Sequence, residues 1–168
     1  MSTDLELSPL ETAEVRRMLE IEKIRRRKHL YAHLVDTQKF DEWAQIFTAD
    51  CVVEWGNYGV LHGRQAVIDR CAGLMGERPA YFSMHMSTNL WVELTGALTA
   101  QSRAYLHDCV NDLDPRINPL RFLGAYEEDW VKRDGEWLIQ RQKLHFFWPE
   151  RALAGDGVMR PMPTPAAI

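Results

Sequence analysis

The feature that most constrains the fold is a change in hydrophobic period along the chain. In the first part apolar residues recur at helical spacing, as Ile24, Tyr31, Leu34 and Val35 do, whereas from Tyr81 onward they alternate with period two. Helices followed by long strands predict an α+β domain, with the helices packed on a strongly curved, mainly antiparallel sheet. The space between sheet and helices would form a pocket for a small apolar molecule.

The helical part divides into three predicted segments. Ser8 is followed by Pro9, with Glu11 three residues after Ser8, which predicts a capped helix start. This helix is expected to end near residues 36–37, and shorter helices are expected over 40–47 and 64–75. A short strand is expected over 51–55, where valines adjoin a tryptophan.

Longer strands dominate the second half. They are predicted over residues 81–94, 97–110, 122–132 and 136–147. Asp134 and Gly135 predict a tight hairpin between the last two strands, and residues 111–120 are expected to form a long loop. We expect one domain over residues 1–148. The Pro-rich tail, residues 149–168, is expected to pack on that domain or on a neighbouring subunit.

Composition excludes several classes of function. A net charge of −4 and a pI near 5.9 argue against a nucleic-acid or membrane-surface protein. The one basic run, residues 25–28, is interpreted as a solvated helix face. Because the first residues are acidic and polar and no apolar run reaches about 18 residues, we expect neither a signal peptide nor a membrane span. Three cysteines without C-x-x-C spacing favour free thiols in the cytoplasm.

Several polar residues fall where an inward face is predicted. Asp36 ends the first helix, His85 shares a strand face with Asn89 by alternation, and Arg141 has the same parity as residues 137 and 139. Such a buried set is either a structural network or a reaction centre. In the structural alternative, Asp36 is a turn residue, His85 is a satisfied core histidine, and Arg141 and His107 face solvent.

Metal and nucleotide binding have little support in the sequence. His29 and His33 are four residues apart on a predicted helix, but the glutamate of an H-E-x-x-H motif is missing. Phosphate-binding glycine motifs are also missing. We therefore expect neither a metal ion nor an organic cofactor.

Several short motifs resemble the SnoaL-like proteins of the NTF2-like superfamily, over about residues 19–148. The motifs are Tyr31–Asp36, Phe40–Trp43, Phe47–Asp50, Gly63–Ile68, His85–Asn89 and Gly135–Ile139. The resemblance implies a cystatin-like cone, in which helices close a curved sheet. Because this superfamily contains many activities, the fold alone does not specify the reaction.

The detailed resemblance is to three elimination enzymes of the superfamily: scytalone dehydratase, bile acid 7α-dehydratase and hexachlorocyclohexane dehydrochlorinase. It implies that His85 is a catalytic base oriented by Asp36, with Arg141 near the leaving group and Tyr31 polarising the substrate. A base near neutral pKa beside a carboxylate suits proton removal from carbon.

The resemblance also suggests residues that contact substrate. His107 corresponds roughly to a second active-site histidine, and Asn89 shares the predicted face of His85. Trp55 stands where both dehydratases have a tyrosine, so either Tyr58 or Tyr31 supplies the missing hydroxyl or this function is absent.

These inferences lead to one preferred function and two alternatives. The preferred function is a cofactor-independent, dehydratase-type lyase acting on a small hydrophobic cyclic or aromatic substrate through an Asp–His dyad. One alternative is an isomerase, cyclase or hydrolase with Asp36 as the base. The other is a non-catalytic binding or assembly subunit, as in ring-hydroxylating dioxygenases. A homo-oligomer is expected, with a trimer favoured over a dimer.

Overall fold

The structure, a computed structural model, describes residues 7–76, 82–111, 116 and 118–162. Helix α1 spans Pro9–Asp36 and begins as predicted. The backbone N–H of Glu11 donates to Ser8 Oγ at 3.3 Å, and the backbone N–H of Ser8 donates to Glu11 Oε2 at 2.8 Å. Two otherwise unpaired amides are thereby satisfied, which fixes the start of the helix.

The short elements that follow partly differ from the prediction. Their bounds are α2 Phe40–Ala44, β1 Phe47–Trp55, a 3₁₀ turn Gly56–Tyr58, β2 Val60–His62, α3 Arg64–Cys71 and a π-helical turn Ala72–Gly76. The helix expected over 40–47 stops at Ala44, because Phe47 already belongs to β1. Strand β2 was not predicted, and its three residues are too few to show a period.

Four long strands complete the chain close to their predicted bounds. They are β3 Phe82–Leu94, β4 Thr99–Asn111, β5 Leu120–Arg133 and β6 Glu136–Trp148. Asp134 and Gly135 both have positive φ, 51° and 85°, as a type I′ hairpin requires. Tyr81 and most of the predicted loop, residues 112–115 and 117, lie outside the described residues.

The six strands form one mixed sheet in the order β2-β1-β6-β5-β4-β3. Neighbouring strands are antiparallel except β1 and β6, which run parallel. The sheet is not closed, since β2 and β3 are its edges. The helices pack on its concave face, which confirms the predicted α+β, cystatin-like architecture.

Two of the irregularities in strand pairing decide which side chains of β3 and β6 face inward. In β3 the pairing with β4 shifts between Thr88 and Trp91. In β6 the pairing with β5 shifts between Ile139, which pairs with Trp130, and Arg141, which pairs with Asp129. Each shift inserts one extra residue, so alternation beyond it is reversed.

The core lies between the helices and the concave face of the sheet. Trp43, Phe47, Tyr126, Trp130 and Ile139 are at most 1% exposed there. The ring of Trp43 meets that of Phe47 at 5.1 Å, nearly perpendicular. Burying aromatic side chains supplies much of the folding free energy of such a domain.

The described part of the tail, residues 149–162, lies on the other, convex face of the sheet. Ala152 exchanges two backbone hydrogen bonds with Phe146, and the Ala154 amide donates to His145 Nδ1 at 3.2 Å. Arg160 donates to Asp129 at 2.5 Å. Residues 163–168 lie outside the described residues, and packing of the tail on a neighbouring subunit stays a prediction.

Candidate active site

A cavity of about 280 Å³ opens between the concave face of the sheet and the helices. Most of its lining is apolar, and its aromatic side chains are Tyr31, Trp43, Trp55, Tyr58, Phe122, Tyr126 and Phe146. Its two ionisable groups other than tyrosine and cysteine are His85 and Asp108, and no Lys or Arg is among the described lining residues. An apolar cavity with a few convergent polar groups is typical of a small-molecule site.

The end of α1 places Asp36 against His85 of β3. Asp36 Oδ1 lies 2.6 Å from His85 Nδ1 and accepts from Ser83 Oγ at 2.9 Å. Asp36 Oδ2 accepts the backbone N–H of His85 at 2.9 Å. Because these partners donate to both carboxylate oxygens, the arrangement favours a proton on Nδ1 of His85. Nε2 is then the unprotonated nitrogen.

Asp108 of β4 lies on the opposite side of the same imidazole. Its Oδ2 is 3.6 Å from His85 Nε2, which is too long for a direct hydrogen bond. Its Oδ1 is buried and has no hydrogen-bond partner among the described residues. Burial raises the pKa of Asp108, although the nearby His85 opposes that shift. This carboxyl group can therefore bind or exchange a proton with a molecule in the cavity.

Gln142 of β6 orients two of the aromatic lining residues. Its Oε1 accepts from Trp55 Nε1 at 3.0 Å and from the Tyr31 hydroxyl at 3.3 Å. Its Nε2 donates to Glu128 Oε1 at 2.9 Å, which fixes the direction of the amide. Burial raises the pKa of Tyr31 well above its ordinary value, so its hydroxyl stays protonated.

A buried ion pair contacts both the Gln142 amide and the tyrosine rings of the cavity lining. Lys28 and Glu128 are both 0% exposed, and Lys28 Nζ lies 2.5 Å from Glu128 Oε1. The same Nζ lies over the rings of Tyr126, at 3.5 Å, and Tyr31, at 4.2 Å. Burial lowers the pKa of Lys28, and the carboxylate opposes that shift. The interpretation of residues 25–28 as a solvated face is therefore wrong for Lys28.

The prediction that Arg141 faces the core is wrong. Its side chain is 55% exposed on the convex face, where it donates to Glu54 at 3.0 Å. The bulge in β6 reverses the alternation after Ile139. As a result Gln142, the residue that follows Arg141, points inward instead. Arg141 does not line the cavity.

The placements predicted for Asn89 and His107 are also wrong. Asn89 sits in the β3 bulge with a φ of 52° and is exposed. The His107 side chain lies on the convex face, 3.6 Å from Cys109 Sγ, and its neighbour Asp108 lines the cavity. The alternation in β4, where Leu106 and Val110 are apolar, already indicated which face points inward.

The other expected site residues do line the cavity: Tyr31, Trp55, Tyr58 and His85. Asp36 touches the cavity only through His85 and is not among its lining residues. Tyr126, Asp108 and Gln142 were not identified from the sequence. Tyr126 has a detectable signal, since it shares the parity of Trp130 on β5.

Neither metal ligation nor a membrane span is indicated in the described part of the chain. His29 and His33 are both exposed. Among residues 7–76, 82–111, 116 and 118–162, no group of three His, Cys, Asp or Glu side chains is arranged to hold a metal ion. None of the helices described there is long and apolar enough to cross a membrane.

Comparison with known proteins gives a family match over most of the chain. The SnoaL-like domain matches residues 16–143. An uncharacterised protein of Mycobacterium tuberculosis is 29% identical over 144 residues, which cover 84% of this chain and 93% of that protein.

Solved structures share the fold at low sequence identity. A protein of Novosphingobium aromaticivorans, provisionally assigned as a scytalone dehydratase, is 22% identical with a TM-score of 0.74, and the match covers 86% of this chain and 97% of that one. The structure of LinA is 16% identical with a TM-score of 0.72, and the match covers 89% and 99%. At these identities the likeness shows the fold alone.

Proposed function

The chain belongs to the SnoaL-like family within the NTF2-like superfamily, and on that premise we propose that it is a cofactor-independent lyase. The reaction is a dehydratase-type elimination on a small, uncharged, cyclic or aromatic alcohol. The observation that carries the proposal is the 2.6 Å contact between Asp36 Oδ1 and His85 Nδ1, which leaves Nε2 directed at the cavity.

His85 is the base in this proposal. Its Nε2 takes a proton from the carbon next to the one that bears the hydroxyl, and the C–H electron pair becomes the new C=C bond. Asp36 keeps the other proton on Nδ1 and stabilises the imidazolium that forms. Since Asp36 is engaged by Ser83 and by His85 itself and does not line the cavity, the geometry supports His85 over Asp36 as the base.

Asp108 is the acid. In its protonated form it donates to the departing oxygen, the C–O electron pair leaves with that oxygen, and water is released. Burial raises the pKa of Asp108, which favours the protonated form needed for this step. The imidazolium of His85 then returns its proton to the carboxylate across the 3.6 Å gap, through a water molecule. Proton and hydroxyl would leave from the same face of the substrate.

The lining supports an uncharged substrate. Seven aromatic side chains can stack on or enclose rings. A carboxylate or phosphate on the substrate would find no Lys or Arg among the described lining residues and would be repelled by Asp108 when ionised. The volume, about 280 Å³, suits a molecule of a few rings at most.

An isomerase is the second candidate, and one observation favours it. Asp108 Oδ1 is buried beside an apolar cavity and has no partner among the described residues. A carboxylate in such surroundings can shuttle a proton between two carbons of one substrate, with a tyrosine hydroxyl holding the oxygen. Tyr126 lines the same cavity, and its pKa is raised by burial.

The test begins with a panel of neutral hydroxylated ring compounds. Binding is followed by the shift in melting temperature and by the fluorescence of Trp55 and Trp43, which line the cavity. Bound compounds are then incubated with the protein in D₂O and analysed by mass spectrometry. A lyase yields a product that has lost one water. An isomerase yields a product of unchanged formula that has gained deuterium.

Two variants and one control assign the reaction to the site. His85→Ala and Asp36→Asn should abolish most turnover while binding persists, and His33→Ala, which removes an exposed histidine of α1, should change nothing. Compounds that bind tightly but never react, across the whole panel, would instead support the non-catalytic subunit. A reaction that survives in His85→Ala would remove the proposed base.

A further inference from the structure

The solvent-facing side of α1 carries an unusual number of apolar side chains. Val15, Met18, Leu19 and Leu30 are 40%, 61%, 56% and 46% exposed, and Leu7, just before the N-cap, is 52% exposed. The inward side of the same helix carries Ile24, Lys28 and Tyr31 and is already packed against the sheet. The exposed side chains therefore form a second stripe, which the described residues of one copy leave uncovered.

Charge is distributed unevenly along this stripe. Its first half carries Glu11, whereas its second half carries Glu22 and Arg26, and Arg26 belongs to the basic run of residues 25–28. Glu11 uses Oε2 for both of its bonds to Ser8, and those bonds lower its pKa, so it is a charged group at the surface. Arg26 is exposed and forms no ion pair with the described residues.

We propose that α1 pairs antiparallel with α1 of a second copy of this chain, forming a two-fold symmetric dimer rather than the trimer favoured from the sequence. In a two-fold interface every contact occurs twice: if one residue of the first copy contacts a second residue of the other copy, the same two residues also meet with the copies exchanged. If Met18 of one copy meets Leu19 of the other, the helical spacing brings Glu11 opposite Arg26, Val15 opposite Glu22 and Leu7 opposite Leu30. Each charge pair and each apolar contact then occurs twice.

A groove beside the helix fits the same partner. It has a volume of about 540 Å³ and lies between the basic half of α1 and the β5–β6 hairpin. Lys23, Arg26, Arg27 and Leu30 line one side, and Gly135–Trp137 line the other. Lys23 and Arg27 already pair with Glu20 and Glu136, so Glu11 of the second copy would pair with Arg26, while its Leu7 would contact Leu30.

The interface rests on different residues from the proposed lyase site and does not depend on it. Asp36, His85 and Asp108 lie at the other end of α1 and inside the cavity. A 28-residue helix is about 42 Å long, so a pairing along most of it supplies an extended contact. Opposite charges at the rim would fix the register of the two helices, and like charges at the same positions would oppose the pairing.

Charge reversal in the full-length protein tests the proposal. Sedimentation velocity at micromolar concentration should show a dimer for the parent chain. Glu11→Arg alone and Arg26→Glu alone should each sediment as monomers, because like charges then face each other twice. Mixed in equal amounts, the two variants should form a heterodimer, in which both facing pairs are again of opposite sign.

The mixing experiment separates pairing from misfolding, since a variant that fails to fold cannot be restored by its partner. Met18→Lys should also give monomers. Arg16→Glu is the same charge reversal as Arg26→Glu but lies at an exposed residue off the stripe, and it should leave the dimer intact. A monomeric parent chain would overturn the proposal. So would a trimer or other oligomer that is insensitive to all of these α1 variants, since its contact would lie elsewhere.

Discussion

Asp36 Oδ1 and His85 Nδ1 lie 2.6 Å apart and connect the last turn of α1 to the fourth residue of the edge strand β3. The two residues are 49 positions apart in sequence. The backbone N–H of His85 and the hydroxyl of Ser83 also donate to this carboxylate, so Asp36 fixes both the ring and the strand that carries it. The imidazole is thus held in one tautomer before any ligand enters.

Asp36→Asn should therefore leave the fold intact and reduce kcat/KM by about 10³–10⁴-fold, as loss of the orienting carboxylate does in a comparable triad. The amide can hold the wrong tautomer and cannot stabilise the imidazolium. Steady-state kinetics on the substrate identified by the screen provide the measurement. The double variant with His85→Ala should be little slower than the slower single variant, because groups acting as a unit are not additive. Strictly multiplicative losses would contradict the dyad.

Lys28 and Glu128 should be costly to separate. Lys28→Met leaves a buried carboxylate without its cation and should lower the free energy of unfolding by about 3–5 kcal/mol. Adding Glu128→Gln should recover a large part of the loss, since the neutral amide needs no cation and its one oxygen can still accept from Gln142 or from Ser102. Urea unfolding of the two single variants and the double variant gives the coupling. Arg16→Met, a change at an exposed residue of the same helix that lies off the stripe, should change stability by less than about 0.5 kcal/mol.

Adjacent residues of β6 should lose different amounts of stability on the same substitution. Gln142→Leu removes the acceptor of Trp55 Nε1 and of the Tyr31 hydroxyl, and should cost about 1–3 kcal/mol. Arg141→Leu removes the ion pair with Glu54, in which the Arg141 side chain is 55% exposed, and should cost about 0–1 kcal/mol. Chemical unfolding of both variants measures the contrast. A larger loss for Arg141→Leu would mean that the side chains face the other way.

Much of the architecture could be predicted because it depends on local patterns. The Ser8–Glu11 capping box and the Asp134–Gly135 hairpin are short-range signals, and both occur where expected. The meeting of Asp36 and His85 was also predicted, although it depends on a family resemblance rather than on spacing. These features depend on a few neighbouring residues, or on a motif, and not on the register of the whole sheet.

The parts that could not be predicted depend on register. One inserted residue in β6 turned Arg141 outward and Gln142 inward, and one in β3 placed Asn89 in an exposed bulge. A bulge leaves the composition of a strand unchanged, so alternation alone cannot locate it. Lys28 was misread for another reason: its buried partner, Glu128, is 100 positions away.

Asp108 gives the last prediction, which concerns stability and pH. Burial raises the pKa of this carboxyl above its ordinary value of 3.8, so the folded protein holds the proton to higher pH than the unfolded chain does. As pH rises above about 3.8, the unfolded state binds fewer protons than the folded state, and stability falls until the folded pKa is passed. Asp108→Asn removes this penalty. The stability of the variant minus that of the parent should therefore be greater at pH 7 than near pH 3.

Melting temperatures of both proteins across this pH range measure the effect, with Asp41→Asn, an exposed aspartate of α2, as the control for the change in net charge. The control should show a much smaller dependence on pH than Asp108→Asn does. The same Asp108→Asn variant should lose turnover, because an amide cannot give up a proton to the departing oxygen. A gain in stability with a loss of activity is what a group retained for catalysis produces. If Asp108→Asn instead lost stability at pH 7 relative to pH 3 and kept its rate, Asp108 would be a structural residue and the proposed acid would have to be sought elsewhere in the cavity.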